Sequence, residues 1–187
     1  RGVGKTALLT AFTEKKATLR YTAGNCSARE QQYLWGQELR NQEKEIADYP
    51  SWREILECLV TWDESMPTEK KVLIIENFQY LLKGDSIFLQ ELIRFLKERN
   101  DRALLVILST YASGWVENSM ISKVGNLAFS VSGFLKVKEL NFSSMRKIFP
   151  AYTIQEGIVL YGALGGLPGV WRLLDPETGA EGNLIRL

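Results

Sequence analysis

Two short runs of uninterrupted aliphatic residues constrain this chain more than any other feature. Val72-Leu73-Ile74-Ile75 follows the charges Lys70-Lys71 and ends in Glu76-Asn77, and Leu104-Leu105-Val106-Ile107-Leu108 ends in Ser109-Thr110. Apolar runs without alternation suit strands covered on both faces, as in a parallel sheet. Between them, "DSIFLQELIRFLKERN" (85–100) places apolar residues at helical spacing behind an Asp-Ser start and before a basic end. Strand, amphipathic helix and strand at this spacing argue for a parallel α/β arrangement. A further strand is expected at 17–23, "ATLRYTA", and another at 133–140, "GFLKVKEL", which alternates and so belongs nearer an edge. Residues 5–16, 27–47 and 51–62 read as helices, the second opened by Ser27 with an acidic residue three positions on. Past residue 140 only short helical pieces remain. The expectation is an α/β domain over 1–140, a parallel sheet between helical layers, followed by a small helical module over 141–187.

The chain opens "RGVGKTALLTAF", which bears on what such a sheet is for. In the phosphate-loop pattern G-x-x-x-x-G-K-[ST], Gly4-Lys5-Thr6 fills the last three places and Arg1, Gly2 and Val3 fill variable ones. The pattern's first glycine falls ahead of Arg1. Glycines let backbone N–H groups converge on phosphate oxygens, and the helix that follows directs its positive end at them. The nucleotide-contacting set is therefore Arg1, Gly2, Val3, Gly4, Lys5, Thr6 and Ala7. Lys5 neutralises the β- and γ-phosphates, and the Thr6 hydroxyl ligates Mg²⁺.

The second motif is the strand that ends in an acid. After four apolar residues such nucleotidases place a metal-side carboxylate and then a base. Glu76 keeps the carboxylate, one methylene longer than aspartate, whereas Asn77 puts an amide at the base position. An amide orients a water but does not accept its proton, and loss of a general base costs on the order of 10²–10⁴ in rate. Either Glu76 itself acts as base, or a carboxylate comes from outside this segment. Thr110, at the carboxyl end of the other apolar strand, is placed to sense the γ-phosphate or position a water, and equally to cap the next turn.

Composition narrows the chemistry further. The chain has no histidine, which removes Ser–His and Cys–His nucleophile pairs, histidine metal sites and histidine acid–base catalysis. Cys26 and Cys58 are too few for a disulfide framework or a zinc site and fit a reducing cytoplasm. A formal net charge of +1 gives no global attraction to nucleic acid or anionic membrane. The longest apolar runs fall far short of the roughly 20 residues that span a bilayer.

Taken together, these stretches resemble the archaeal-type ATPase family, a branch of the STAND P-loop ATPases related to AAA+ proteins. "VLIIENFQYL" (72–81) looks like that family's "VLVIDEFQYL", and "FLKVKELNFSSMRKIFP" (134–150) is similar to its strand and following helix. "LYGALGGLPGVWRLLDP" (160–176) matches its Gly-x-Pro segment, with Gly166-Leu167-Pro168 as the motif. Without the resemblance, Gly165-Gly166-Leu167-Pro168 is a helix stop followed by a proline start. The resemblance implies ATP and Mg²⁺ as cofactors and a sheet in the AAA+ order, its central strand preceding the phosphate loop. It implies that Pro168 packs near the adenine and reports nucleotide state to the helical module. It also implies that 141–187 is a lid or the start of a winged helix, followed by further domains, often nuclease-like. Two departures stand out: the family's Asp-Glu is Glu76-Asn77 here, and its arginine pair falls on Ser130-Val131.

Binding residues are kept and rate residues are not, which favours an ATP-binding switch with weak or absent hydrolysis. The alternative is a competent ATPase driving a C-terminal DNA-binding or nuclease-like effector. A small-substrate kinase fits less well, because 111–132 is poor in basic residues, and a nucleic-acid adaptor lacks a basic recognition helix. Expected partners are the nucleotide, the preceding strand and following domains of the same protein, and DNA through those domains. A homo-oligomer is compatible with the reading, and a membrane partner is not expected.

Overall fold

The computed structural model describes residues 2–66, 68–82, 86–99, 103–118, 122 and 124–187. In chain order its elements are α1 (Lys5–Thr13), β1 (Ala17–Thr22), α2 (Ala28–Asn41), α3 (Trp52–Ser65), β2 (Lys71–Glu76), α4 (Ser86–Glu98), β3 (Leu104–Ser109), α5 (Ser113–Asn118), α6 (Phe142–Ile148), α7 (Ile154–Leu164), α8 (Pro168–Trp171) and α9 (Ala180–Arg186). They fall into two compact units, Thr13–Gly133 and Arg1–Phe12 with Phe134–Leu187. In this grouping the first residues gather with the C-terminal helices.

The larger unit is built on a parallel sheet in the order β1-β2-β3. Its register aligns Thr22, Glu76 and Ser109 across the carboxyl end. Leu19 and Tyr21 of β1 and Leu73 and Ile75 of β2 share a core with Trp35 and Leu39 of α2, Ile55, Leu56 and Leu59 of α3, and Phe88, Leu92 and Phe95 of α4. Tyr21 stacks on Trp35 with ring centroids 4.4 Å apart, giving this core a flat aromatic contact as well as aliphatic filling. All six residues of β2 are buried, as an apolar run in the middle of a parallel sheet requires. β3 departs from the expectation of full burial: it is mostly half-buried, and Leu105 is 47% exposed. β2 has a strand on each side, whereas β3 is paired with β2 alone among the described residues.

Local chemistry sets the helix ends. Ser27 accepts from the Glu30 N–H, and Ser51 with Glu54 forms a reciprocal capping box. α2 stops at Asn41, short of the expected 47. Glu43 sits at φ 59, its N–H donates to Arg40 O, and the Lys44 N–H donates to Leu39 O. This is a Schellman closure with a glutamate where glycine is usual, so no residue marked the stop. α1 likewise ends at Thr13, not at Lys16, whose N–H donates to Thr13 O just before β1 begins.

The expected strand at 133–140 is not one. Its residues join no ladder among the described residues, and Phe134 and Leu135 are 68% and 82% exposed. Alternation specifies an extended backbone and two faces; a strand also needs a neighbour to complete its hydrogen bonds. Leu140 N–H donates to Gly166 O at 2.8 Å and ties the end of the stretch to the Gly-x-Pro segment.

The smaller unit packs Met145, Tyr152, Leu160, Trp171, Leu174 and Ala180 into its own core. Thr153 and Glu156 form a second capping box at the start of α7. Fully buried Asn183 bonds Tyr152, Asp175 and Thr178, closing the loop before α9 on the core. Among the described residues no helix is long and apolar enough to cross a membrane.

Candidate functional site

The residues expected to grip phosphate lie at the start of the smaller unit. Gly2 and Gly4 have φ of 84° and 90°, a region that side-chain-bearing residues rarely adopt. Alternating glycines of this kind are what a loop needs to turn successive N–H groups toward an anion. Gly4 O accepts the first hydrogen bond of α1, from Leu8 N–H at 2.9 Å. The first turn of α1 carries no acidic residue, so its positive end has no anion of its own. Lys5 in that turn is half-buried and makes no ion pair among the described residues, Val3 is half-buried, and Thr6 and Ala7 are exposed. Arg1 lies outside the described residues.

The Gly-x-Pro segment meets this loop directly. α7 stops at Gly165, at φ 66 and ψ −162, a conformation that glycine alone adopts without strain. Leu167 then caps α8 with Pro168 in its first turn, the helix stop and proline start expected from sequence. Gly169 N–H donates to Gly2 O at 3.0 Å. A Cβ on Gly4 would lie 3.9 Å from Pro168 Cγ, and one on Gly2 would lie 3.9 Å from Leu167 Cδ2, so both side chains line the loop. Gly169 itself is needed for this approach, since a Cβ there would lie 3.2 Å from Gly2 Cα. Behind the contact, Trp171 Nε1–H donates to Gly165 O at 2.8 Å and fixes the turn.

The remaining expected residues cluster at the carboxyl edge of the sheet in the larger unit. Glu76 is 8% exposed and its O accepts from Ala23 N–H at 2.9 Å. Its carboxylate is engaged by Arg20, whose Nε donates to Oε1 at 2.7 Å while Nη2 reaches the same oxygen. Asn77 is left-handed, at φ 55 and ψ 37, and its Nδ2 donates to Ala23 O at 3.3 Å, linking the ends of β1 and β2. Gln31 steadies that corner: it accepts from the Tyr21 hydroxyl at 2.5 Å and donates to Gly24 O. Burial pushes the Tyr21 hydroxyl above its usual pKa, which keeps it a donor. The Thr110 hydroxyl donates to Gln79 Oε1 at 2.6 Å and accepts from Ala112 N–H at 3.0 Å, so the capping contact with the next turn is present.

The structure thus brings Gly2 and Gly4 together with Pro168, and it sets Glu76, Asn77 and Thr110 along one strand edge. Three participants escaped the sequence reading. Gly169 was marked only by following the proline. Gln79 carried no signal, and Arg20 lay inside the strand expected at 17–23 with no role of its own. Of the residues expected to hold Mg²⁺, Thr6 in the first turn of α1 fits as a neutral oxygen donor, whereas Glu76 does not fit, because a guanidinium occupies its carboxylate. No group of three cysteine or carboxylate side chains among the described residues could hold a metal ion.

No protein-family model matches the chain. It is 27% identical over 126 residues to the uncharacterized protein MJECL04 of Methanocaldococcus jannaschii, a match covering 62% of this chain and 28% of that protein. The fold is similar to that of the Walker-type ATPase PABY2304 of Pyrococcus abyssi, with TM-score 0.64 and 16% identity over 92% of this chain and 59% of that one. It is also similar to the Aeropyrum pernix ORC2 protein in its ADPNP–ADP complexes, with TM-score 0.52 and 16% identity over 80% of this chain and 41% of that one. The chain spans less than two thirds of each of these proteins. These likenesses show the fold: an α/β P-loop ATPase fold built on a parallel sheet.

Proposed function

We propose that this chain is the nucleotide-binding part of an archaeal-type ATPase of the STAND group, using ATP as a conformational switch with weak or absent hydrolysis. The observation that carries the reading is the bond from Gly169 to Gly2, which ties the Gly-x-Pro segment to the phosphate loop at 3.0 Å. A loop that closes on phosphate reorganises its own peptide groups, and here one of them is held by the helical module. The similarity in fold to a Walker-type ATPase and to a protein solved with ADPNP and ADP supports the choice of ligand. Gly2, Val3, Gly4 and Ala7, with Arg1, supply backbone groups for the phosphates, Lys5 supplies charge, and Thr6 offers its hydroxyl to the Mg²⁺ that accompanies ATP. Pro168 is the reporter of nucleotide state, and Thr110 acts through Gln79 at the strand edge. Weak hydrolysis follows from the amide of Asn77 at the base position and from the neutralised carboxylate of Glu76.

Amide hydrogen exchange on the full-length protein tests the switch. Saturating ATP changes protection at Gly169 and across 165–171, and the change is lost in Lys5→Ala. Bound ATP with unaltered exchange throughout 165–171 contradicts it.

A further inference from the structure

Glu76 closes an apolar strand at a position where a metal-side carboxylate is expected, yet its charge is already answered from the neighbouring strand. Arg20 of β1 donates through Nε to Glu76 Oε1 at 2.7 Å, with Nη2 on the same oxygen. The ladder pairs Arg20 with Ile74 and Thr22 with Glu76, so the two side chains lie on one face of the sheet and meet diagonally. The extra methylene of glutamate over aspartate helps the carboxylate reach across that diagonal. The contact joins residues 56 apart in the chain and is set by the register of two parallel strands. It is also sheltered, with side-chain exposures of 30% for Arg20 and 10% for Glu76.

We propose that Arg20 takes the place of a divalent cation at Glu76, so that the chain binds ATP with an affinity indifferent to Mg²⁺. The inference rests on the ATP-binding reading above. A carboxylate recruits a dication, directly or through its water shell, by its net negative charge. Here that charge is balanced by a guanidinium, and a dication drawn to the same group would face like charge where solvent screening is weak. What remains for a metal among the expected ligands is the neutral hydroxyl of Thr6, and the described residues offer no cluster of three cysteine or carboxylate ligands. Mg²⁺ then travels with the phosphates of ATP and is not recruited by the protein. Arg20 acts through Glu76 and is a positioning residue.

The test uses the full-length protein and two readouts. ATP affinity is measured by calorimetry with Mg²⁺ and with EDTA, for wild type, Arg20→Gln and Arg20→Lys. Mn²⁺ binding in the absence of nucleotide is followed by electron paramagnetic resonance. Wild type and Arg20→Lys bind ATP with less than about a tenfold difference between the two buffers, whereas Arg20→Gln binds about tenfold or more tightly with Mg²⁺. Wild type shows no Mn²⁺ site and Arg20→Gln gains one. A wild type that exceeds the tenfold difference, or that binds Mn²⁺ alone, overturns the proposal without any variant. A folded Arg20→Gln that stays indifferent in both readouts overturns it too. If wild type binds ATP in neither buffer, the ATP reading fails, and the Mn²⁺ measurement alone decides the role of Arg20.

Discussion

Replacing Gly166 by alanine puts a methyl group where the carbonyl of Leu140 already stands. The added Cβ would lie 2.0 Å from Leu140 O, 3.0 Å from Glu139 Cβ and 3.1 Å from Leu140 C. An ordinary carbon–oxygen contact is about 3.3 Å, so the overlap is about 1.3 Å. Backbone meets backbone here, and no flexible side chain can swing aside. The two segments must part, yet Leu140 N–H donates to Gly166 O at 2.8 Å and the Tyr161 hydroxyl donates to Leu140 O at 3.0 Å. Losing both bonds costs about 1 kcal/mol each, and forcing bulk into a packed site adds about 1–3 kcal/mol. Gly166→Ala should therefore destabilise the smaller unit by about 3–5 kcal/mol. It should also weaken ATP binding, since Gly166 leads into the Leu167-Pro168-Gly169 stretch that lines the loop. Gly162→Ala is the matched control: it lies in α7 with nothing within 4 Å of an added Cβ, and should stabilise by up to about 1 kcal/mol. Urea unfolding followed by circular dichroism reads both. A Gly166→Ala midpoint equal to that of wild type refutes the close-approach argument.

Other perturbations separate structural from functional roles. Lys71 and Asp63 form a fully buried ion pair at 2.6 Å, so Lys71→Met leaves the buried carboxylate facing the more distant Arg99 at 3.9 Å and should cost about 3–5 kcal/mol by denaturation, while Lys71→Met with Asp63→Leu recovers part of the loss. Gly169→Ala crowds Gly2 Cα at 3.2 Å and should lower ATP affinity while leaving the unfolding midpoint nearly unchanged; an equal loss in both would assign the residue to stability alone. The hydrogen bonds from Ser51 and Thr153 hold the Glu54 and Glu156 carboxyls below the usual range. A depressed carboxylate contributes stability that is present above its unfolded pKa of about 4.3 and is lost as pH falls through the lower folded value. Helicity should accordingly be flat above about pH 5 and fall in acid, less steeply in a Glu54→Gln, Glu156→Gln double variant.

The parallel sheet was legible because its driving term is local. Val72–Ile75 must be covered on both faces wherever it lies, and the helix from 86 to 98 shows its apolar stripe in its own residues. The caps at Ser27 and Ser51, the stop at Gly165 and the start at Pro168 are likewise written in single residues. What could not be read depends on partners. The 133–140 stretch has the alternation of a strand and no ladder to join among the described residues, and α2 ends through a backbone closure at Glu43 that glutamate rarely makes. At the site, Gly2, Gly4, Glu76 and Asn77 were visible as motif positions, whereas the engagement of Glu76 by Arg20 follows from strand register. The part played by Gly169 lies in its N–H, which meets Gly2 O through a contact that no sequence pattern carries.

The most direct test is one titration: ATP into the full-length protein, wild type against Lys5→Ala, with phosphate release followed in the same samples. Binding to wild type should be saturable and weakened about tenfold or more by Lys5→Ala, with phosphate release that stays slow at saturation. Equal affinity in the two proteins contradicts the phosphate-loop assignment, and rapid turnover by wild type contradicts the switch.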